Sequence, residues 1–528
     1  MKRVLIERNR YFDSVFLMRI SHELEQLPEV NKAIVAMGTP TNLDSLRNAN
    51  FVIDQECDPS ESSASRESPL MIRPNDVVIA IDGASEEAID EAHDRLRLLL
   101  TNPTAAEGGT AEAARPMTLF EAIQIDPDVN LALISVPGAY AAREARRALE
   151  RGLHVMLFSD HVSVEDEIAL KDDAIGRGLL MMGPDCGTAI LNGAPLGFAN
   201  VVRRGSIGIV GASGTGIQEI SSLIHRLGGG ISQAIGTGGR DLSGDVGARM
   251  SIFGIEAVAA DPETDVIVVV SKAPEPAVAD RVTGALRSTG KPAVVHFVTG
   301  GAKAAEGDVE FAETLAKAAE LACAAAGIAV PTSDGPRQGV PAHAGTAHEL
   351  VGSAGRVRGL YCGGTLAQEA WDVLRRAGLE VCSNVATDPA LKTQAGAAET
   401  GHVIWDLGDD AFTVGKPHPM IAPSLRDGEV LRCAKDPTMG VILVDCVLGH
   451  GAHPDPAGSL ADAAKRAVEA ARRAGRKLLV VASVTGTDED PQNASRQAAA
   501  LTEAGVLVAA SNAAAARRVV EILKRGSE

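Results

Sequence analysis

RGSIGIVGASGTGIQE, residues 204–219, decides the fold of this chain. The apolar, β-branched run 207–210 predicts a buried strand, and the small residues 211–216 lead from it into a helical pattern. The first turn of a helix has unpaired N–H groups and a partial positive charge, so it suits a phosphate or carboxylate. Ser213 and Thr215 add hydroxyl donors. No Gly-Lys-Ser/Thr follows, so this is not a Walker loop. A tight strand-to-helix turn with no ligand is the alternative.

Composition restricts the class of protein. The chain has 528 residues and a net charge of −19, which predicts three or four domains and argues against nucleic-acid binding. Its seven cysteines are scattered without CxxC or metal-ligand spacing, which indicates a reducing cytoplasm and predicts no metal site. No apolar run reaches about 18 residues, and the N-terminus lacks a signal-peptide core. We therefore expect a soluble cytoplasmic protein without a membrane partner.

The order of strands and helices predicts a multidomain α/β protein. Residues 1–101 read as a small α/β domain of ferredoxin-like type, and 117–203 as a Rossmann-like domain of CoA-binding type. Residues 204–328 and 356–528 read as two flavodoxin-like, ligase-type domains related by an internal repeat. In the second of these domains, a strand at 358–362 leads into the small-residue loop Gly363-Gly364-Thr365. The strand at 207–210 leads into residues 211–216 in the same way. Composition predicts linkers at 102–116 and 329–354 and a serine-rich loop at 57–69.

Further candidate binding residues follow predicted strands, where α/β sheets bind ligands. Arg240 and Lys272 could neutralise a dianion, and Gly239 lies in a glycine-rich strand end. Cys186 follows Pro-Asp at another strand end, although a buried thiol is the simpler interpretation. A second loop after an apolar strand provides Gly449, His450, Gly451, Ala452 and His453.

The chain resembles the succinyl-CoA synthetase superfamily over roughly residues 118–525. The matching segments are LISVPGAY, GPDCGTAI, IGIVGASGTGIQE, GTGGRDLSGD, DPETDVIVVV and KPAVVHFVTG, in the order of that enzyme's α subunit. The last domain resembles the ligase domain of the β subunit. With MGTPTNL near the start and DLGDDAFTVGKPHPM at 406–420, the whole chain is similar to the FdrA proteins, some of which are assigned to oxamate carbamoyltransferase.

Departures from the synthetase pattern argue against acyl-CoA synthesis from ATP by this chain alone. The family's phosphorylated histidine is missing from residues 299–307, and the glutamate that holds it aligns with Lys272. The glycine loop that contacts CoA is missing before Leu131, and there is no ATP-grasp domain. The resemblance therefore implies phosphate as a substrate, no certain cofactor and doubtful CoA binding.

The retained part of the synthetase binds phosphate between two helix N-termini. The resemblance places these ends at Ser213, Gly214, Thr215 and Gly216 and at the loop 449–453. It implies a carbamoyltransferase subunit that converts oxalurate and phosphate to oxamate and carbamoyl phosphate. Two other subunits would complete the enzyme, and a homodimer is also possible. The alternatives are an acyl-CoA synthetase (an acid–thiol ligase) that acts with a partner and a non-catalytic metabolite-binding scaffold.

Candidate acid–base residues lie in the last domain. His418, with Lys416 nearby, sits in a turn fixed by two prolines and could act on the substrate, or it could be a structural loop histidine. His453 is the second candidate for this role. Asp406, Asp409 and Asp410 could bind Mg²⁺ or a carbamoyl amide, but a solvated acidic turn is the favoured interpretation.

Overall fold

The computed structural model describes residues 1–101 and 116–526, apart from short gaps. The gaps are 9, 11, 13, 40–41, 44–45, 48, 50, 52–71, 74–75, 301–302, 331–354, 397–400 and 414–416. Lys416, the serine-rich loop and nearly all of both predicted linkers therefore lie outside the described residues. The chain divides into two compact units, Met1–Asp128 with Thr413–Pro417, and Val129–Phe412 with His418–Glu528.

The first unit contains a small antiparallel sheet in the order β1-β3-β2. Its elements are β1 (Lys2–Glu7), α1 (Ser14–Glu25), β2 (Val30–Met37), β3 (Val77–Gly83), α2 (Glu86–Thr101) and α3 (Leu119–Ile125). Strand β3 is central and almost entirely buried because apolar side chains cover both faces of the sheet. Helical residues also lie between β2 and β3, at 42–43 and 46–47. The strand order β1-β3-β2 is that of a ferredoxin-like sheet, and the predicted small N-terminal domain is confirmed.

The second unit begins with a short parallel sheet of Rossmann type. It consists of β4 (Leu131–Ile134), α4 (Gly138–Leu149), β5 (His154–Leu157), α5 (Val164–Gly176) and β6 (Met181–Met182), with strand order β4-β5-β6. Ser163 caps α5, because its side chain accepts a hydrogen bond from the N–H of Asp166. The predicted β-α-β-α-β rhythm is present.

The segment quoted at the outset forms the centre of a seven-stranded sheet. Its elements are β7 (Thr188–Leu191), β8 (Ala194–Gly197), β9 (Arg204–Gly211), α6 (Gly214–Arg226), β10 (Ile231–Gly236), α7 (Arg249–Ala260), β11 (Val266–Lys272), α8 (Pro276–Ser288), β12 (Ala293–Val298), β13 (Val309–Phe311) and α9 (Leu315–Ala325). The strand order is β13-β12-β11-β9-β10-β7-β8. Its five parallel strands have the flavodoxin-like order. The β7–β8 hairpin extends this sheet, so the predicted boundary at residue 203 does not coincide with a sheet boundary.

A second flavodoxin-like domain repeats this plan with a fully parallel sheet. Its elements are β14 (Arg356–Tyr361), α10 (Gly364–Arg376), β15 (Val381–Ser383), a 3-10 turn (Pro389–Leu391), β16 (His402–Asp406), α11 (Asp410–Thr413), α12 (Ser424–Cys433), β17 (Met439–Val447), α13 (Pro456–Arg473), β18 (Leu479–Thr485), α14 (Ala494–Glu503), β19 (Leu507–Ala509) and α15 (Asn512–Gly526). The order is β15-β16-β14-β17-β18-β19. No helix among the described residues is both long enough and apolar enough to cross a membrane.

The two flavodoxin-like domains share one hydrophobic core. Helices α6 and α9 from the first domain pack with α10 and α15 from the second, and their buried side chains form a single continuous cluster. Trp371 lies in this cluster with Ile220, Leu366 and Val519, all almost completely inaccessible to solvent. Neither domain buries this face by itself, so the pair forms one packed body.

Two buried glutamates connect these domains reciprocally. Glu219 on α6 accepts a hydrogen bond from the N–H of Asn512, which begins α15, at 3.1 Å. Glu369 on α10 accepts one from the N–H of Leu315, which begins α9, at 2.7 Å. The side-chain amide of Asn512 also donates to Glu369 at 2.8 Å. Each domain therefore supplies the carboxylate that satisfies the N-terminus of the other domain's last helix.

We predict that Asn512→Ala destabilises this domain pair by about 2 kcal/mol, because it leaves the buried Glu369 with one donor fewer. The sequence has two tryptophans, Trp371 and Trp405, both in the last domain, so tryptophan fluorescence during urea unfolding measures the effect. The exposed Asn130 provides the matched control, and Asn130→Ala should shift the midpoint little. Equal midpoints for the two variants would contradict the proposed role of Asn512.

Candidate functional site

The N-terminal ends of helices α6 and α10 meet. Ser213 precedes α6, and its Oγ accepts a hydrogen bond from the N–H of Gly216 at 3.0 Å. The same hydroxyl lies 2.6 Å from Oγ1 of Thr365, in the first turn of α10. Both side chains are buried. Two helix N-termini, each with a partial positive charge, therefore face a common point.

The approach of the two helices requires a glycine at position 363. A Cβ added to Gly363 would lie 2.8 Å from the side chain of Thr215, closer than real side-chain contacts allow. No side chain caps α10 at Gly363. The buried carboxylate of Asp445 instead accepts the N–H groups of Cys362 and Gly363 at 2.9 to 3.0 Å. This anchors the turn before α10 and leaves the helix start itself without a side-chain cap.

A second buried carboxylate lies directly against the start of α10. A Cβ on Gly364 would collide with Oδ2 of Asp406, whose Oδ1 accepts the N–H of Gly408 at 3.0 Å. Burial raises the pKa of Asp406 to about 7, while the positive charge of Lys272 opposes this shift. Lys272 ends β11, and its side chain is exposed. The helix start thus has a titratable carboxyl group and a lysine beside it.

His418 lies close to this carboxyl group. Its Nδ1 accepts the N–H of Met420 at 3.2 Å, so the neutral ring carries its proton on Nε2, which faces Gly408. Burial lowers the pKa of His418 to about 4. Its ring centroid lies 6.3 Å from that of Phe198. These contacts are with the last domain and with Phe198, which follows β8, and the catalytic role of His418 remains a prediction.

The loop 449–453 is not a helix start, which corrects the geometry expected for it. Helix α13 begins at Pro456, and Asp455 already caps it through the N–H of Gly458. The loop's N–H donors are also used: those of Gly449, His450, Ala452 and His453 bond Gln492, Ala199, Gly449 and Met420, respectively. Because these groups are satisfied within the protein, the partner of the first helix start is residues 363–365.

Three other predicted binding residues are buried or already contact other protein groups. Cys186 is buried, and burial raises the pKa of its thiol to about 12, so it is no nucleophile at neutral pH. Arg240 pairs with Glu167 at 2.9 Å and donates to the carbonyl of Val162 at 2.7 Å. A Cβ on Gly239 would lie 3.1 Å from Oδ2 of Asp185. The predicted role of Arg240 in neutralising a dianion therefore competes with an existing ion pair.

An acidic cluster with one histidine joins the Rossmann-like part to the last domain. Nδ1 of His161 lies 2.8 Å from Oδ1 of Asp160, and its Nε2 lies 3.4 Å from Oδ2 of Asp410. The hydrogen bond with Asp160 raises the pKa of His161. Loss of hydration, then the charge of Asp160, raises the pKa of Asp185 to about 6, whereas Lys272 lowers it. Among the described residues, the exposed group Asp160, His161 and Asp410 is the one whose ligand atoms lie within 4.8 Å of one another.

Sequence reasoning missed the residues that complete the first helix start. Gly363, Gly364 and Thr365 were recognised as a repeat of the first glycine loop, but the loop 449–453 was chosen as its partner. Asp406 was predicted to bind Mg²⁺ or a carbamoyl amide, or to lie in a solvated turn, and Asp445 was not among the predicted residues. The repeat itself was the available signal, because equivalent helices of paired domains place their N-termini in equivalent positions. Chemically, the arrangement can bind an anion and move one proton.

Three protein-family models match the chain. One described as CoA-ligase matches residues 360–522, and one described as CoA binding domain matches residues 202–299. A third, described as "AllF, heavy metal-associated domain", matches residues 1–116. The CoA-binding match lies largely in the segment assigned above to the first flavodoxin-like domain. The predicted multidomain α/β fold, with CoA-binding and CoA-ligase domains, is confirmed.

Partial relatives correct the predicted reaction class. The α-2 subunit of mitochondrial succinate–CoA ligase from Trichomonas vaginalis is 33% identical over 150 residues, covering 28% of this chain and 47% of that subunit. The α subunit from Aquifex aeolicus is 30% identical over 177 residues, covering 32% and 56%. The chain thus spans about half the length of these two relatives. They are acid–thiol ligases, so the prediction of a carbamoyltransferase is wrong.

A solved structure and a full-length relative complete the comparison. The dinucleotide-forming acetyl-coenzyme A synthetase 1 of Ca. Korarchaeum cryptofilum, in complex with phosphate and ADP, is 17% identical and covers 84% of this chain and 94% of its own. Its TM-score of 0.33 is too low to support an inference. "Uncharacterized protein YahF" of Escherichia coli K12 is 42% identical over 527 residues, covering 100% of this chain and 99% of that protein. The chain belongs to the family of YahF, with CoA-binding and CoA-ligase domains of the succinyl-CoA synthetase type.

Proposed function

We propose that this protein catalyses the acyl-transfer half of an acid–thiol ligase reaction. In this half-reaction, a phosphate oxygen attacks the carbonyl carbon of an acyl-CoA thioester. A C–O bond forms, the C–S bond breaks, and the CoA thiolate takes up a proton, giving acyl phosphate and CoA. The reverse direction makes acyl-CoA. The observation that carries this proposal is the meeting of two helix N-termini at Ser213 and Thr365.

The paired helix starts suit an acyl phosphate and the charge that develops as it forms. Backbone N–H groups at two helix ends can stabilise both a phosphate and a nearby oxyanion without reorganising. The exposed ammonium group of Lys272 adds a full positive charge close to Asp406. Together these groups favour an anion at the start of α10.

Lys272 also supports direct binding of phosphate in place of a phosphohistidine. The residue at this position is a glutamate in the resembling synthetases, where it holds the phosphorylated histidine. Here the charge is inverted, and residues 299–307 contain no histidine. A lysine repels a protonated imidazole but attracts a free phosphate. The chain therefore works on phosphate or acyl phosphate, while any nucleotide chemistry belongs to a partner.

Asp406 is the residue we assign to proton transfer. A carboxyl group with a pKa of about 7 is protonated in a substantial fraction of molecules at neutral pH, so it can donate a proton and accept one back. The Nε2 of neutral His418 lies toward Gly408, which supports a role in hydrogen-bonding the same ligand. Asp406 and His418 are therefore the two proposed acid–base residues.

The proposed reaction also requires a partner subunit. We propose a hetero-oligomer in which another subunit supplies ATP-dependent phosphorylation, because the partial relatives are α subunits of succinate–CoA ligases. The segments MGTPTNL and DLGDDAFTVGKPHPM further support an FdrA-type assignment within the YahF family. We propose a cytoplasmic location because the cysteines are scattered along the sequence, as is usual for proteins in a reducing compartment.

The central test is phosphate-dependent release of CoA from a panel of short-chain acyl-CoA thioesters. Free thiol appears in a chromogenic assay, and hydroxylamine traps acyl phosphate as hydroxamate. We expect both products to appear in equal amounts and only when phosphate is present. The chain incubated with γ-labelled ATP should remain unlabelled. CoA release that ignores phosphate, or stable labelling of the chain by ATP, would refute the proposed half-reaction.

Removing the lysine charge should weaken phosphate binding. We expect Lys272→Gln to raise the phosphate dissociation constant about tenfold, which corresponds to ~1.4 kcal/mol. Isothermal titration calorimetry measures the change. The matched control is Lys435→Gln, which removes the same charge from an exposed lysine after α12 and should leave the constant unchanged. If both variants bind equally well, Lys272 takes no part in the anion site.

The affinity of the site for an anion should change with pH as Asp406 loses its proton. Sulfate keeps its charge from about pH 6 to about pH 8, so a change in its affinity reports on the protein. Asp406 is mostly neutral below its pKa of about 7 and negative above it, so sulfate should bind about tenfold more weakly at the higher pH. Asp406→Asn should show a much flatter profile. An unchanged pH dependence in this variant would exclude Asp406 from the anion site.

A further inference from the structure

We propose that Phe198 determines the substrate class of the proposed reaction by packing against an uncharged, apolar acyl group. This inference rests on the proposed function, because it concerns the acyl group that the anion site would carry. Phe198 follows strand β8, and its side chain is half-buried. The position of this residue between the two helix starts is the observation that carries the inference.

The backbone of Phe198 is fixed beside the start of α6. Its N–H donates to the carbonyl of Gly187 at 2.8 Å, and its carbonyl accepts a hydrogen bond from the amide of Gln218, in the second turn of α6, at 2.6 Å. Thr188 follows Gly187 in the chain. A Cβ on Gly214, the first residue of α6, would lie 3.2 Å from Oγ1 of Thr188. The segment that carries Phe198 therefore borders the first helix start.

The ring of Phe198 extends toward the second helix start. Its centroid lies 6.3 Å from that of His418. A Cβ on Gly408 would lie 2.5 Å from Nε2 of His418 and 3.2 Å from Oδ1 of Asp406. Asp406 in turn lies against Gly364, the first residue of α10. Phe198 thus packs beside one of the two proposed acid–base residues, and an acyl group attached to a phosphate at the start of α10 would meet this ring.

The groups found against the ring of Phe198 are apolar or neutral. The ring of Phe158, which follows β5, has its centroid 5.6 Å away. Added Cβ atoms on Gly451 and Gly187 would lie 3.0 Å and 3.4 Å from the ring, so both positions give it room. His418 is uncharged at neutral pH, because burial lowers its pKa to about 4.

These surroundings select against a charged acyl group. Within the described part of the chain, no lysine or arginine head group lies over the ring of Phe198. A second carboxylate on the substrate would lose hydration beside this ring without gaining an ion pair there. An alkyl or aryl group would instead replace water on an aromatic surface, which is favourable.

The test measures the binding of alkylphosphonates, which combine an anion similar to phosphate with a tail that is not transferred. Isothermal titration calorimetry of the full-length chain compares phosphate, methylphosphonate, propylphosphonate and 2-carboxyethylphosphonate. Each buried methylene strengthens binding about fourfold, so we expect propylphosphonate to bind about tenfold more tightly than methylphosphonate. We expect 2-carboxyethylphosphonate to bind no more tightly than methylphosphonate.

Phe198→Ala should weaken the binding of propylphosphonate about tenfold and leave the phosphate dissociation constant unchanged. Phe311→Ala is the matched control. Phe311 is a half-buried phenylalanine in β13, at the edge of the seven-stranded sheet opposite to β8, and its loss should not change the affinity for any of the four ligands. Phe198→Leu keeps an apolar side chain at the site and should lose less affinity for propylphosphonate than Phe198→Ala.

The outcomes separate this inference from the proposed function. If the wild type binds phosphate but has no preference for the propyl tail, or if the Phe198 and Phe311 variants lose affinity equally, Phe198 does not contact the acyl group and the anion site stands. If the wild type binds none of the four ligands, the anion site itself is refuted and the inference falls with it. Should Phe198→Ala lose phosphate binding as well, Phe198→Leu decides: a loss confined to propylphosphonate supports the inference, and an equal loss for phosphate overturns it.

Discussion

The exchange of hydrogen bonds by Glu219 and Glu369 is the constraint on which the ligase-type half of this protein depends. Each glutamate accepts the first N–H of the other domain's last helix. A helix start buried without such a partner would cost about 1–3 kcal/mol for each unsatisfied group. Neither domain therefore reaches a fully hydrogen-bonded state alone. The exchange holds α6 beside α10, and it thereby brings Ser213 to Thr365.

The two adjacent helix N-termini create a region of positive electrostatic potential, and two buried carboxylates lie beside it. Asp445 satisfies the N–H groups of Cys362 and Gly363, so the turn before α10 keeps its shape without occupying the helix start. Asp406 then lies against Gly364, where burial keeps its carboxyl group partly protonated. A permanently charged carboxylate there would oppose anion binding. A titratable one can instead favour binding when neutral and transfer its proton during reaction.

The comparison with CoA ligases changes the interpretation of the departures seen in the sequence. Missing histidine, inverted charge at Lys272 and the lack of an ATP-grasp domain suggested a transferase. The CoA-ligase family model and the partial relatives from Trichomonas vaginalis and Aquifex aeolicus are instead acid–thiol ligases. The same departures are compatible with a ligase whose phosphoryl donor is a partner. They do not affect the meeting of the two helix starts at Ser213 and Thr365.

The sequence by itself determined the local structure. Apolar strands followed by small-residue loops predicted β9 with α6 and β14 with α10, because buried parallel strands and helix starts have strong, short-range signatures. The resemblance supplied the ligase-type fold, and the repeat of Gly363-Gly364-Thr365 was visible. Only the tertiary structure decided which loop faces Ser213. It assigned Gly363 and Thr365 to that place, and it showed that Asp455 already caps the helix after residues 449–453. It also revealed Asp406 and Asp445 at the start of α10 and joined His161 to Asp410. These contacts link residues tens to hundreds of positions apart in the sequence. A local sequence pattern cannot predict them, because they form only when the domains pack against each other.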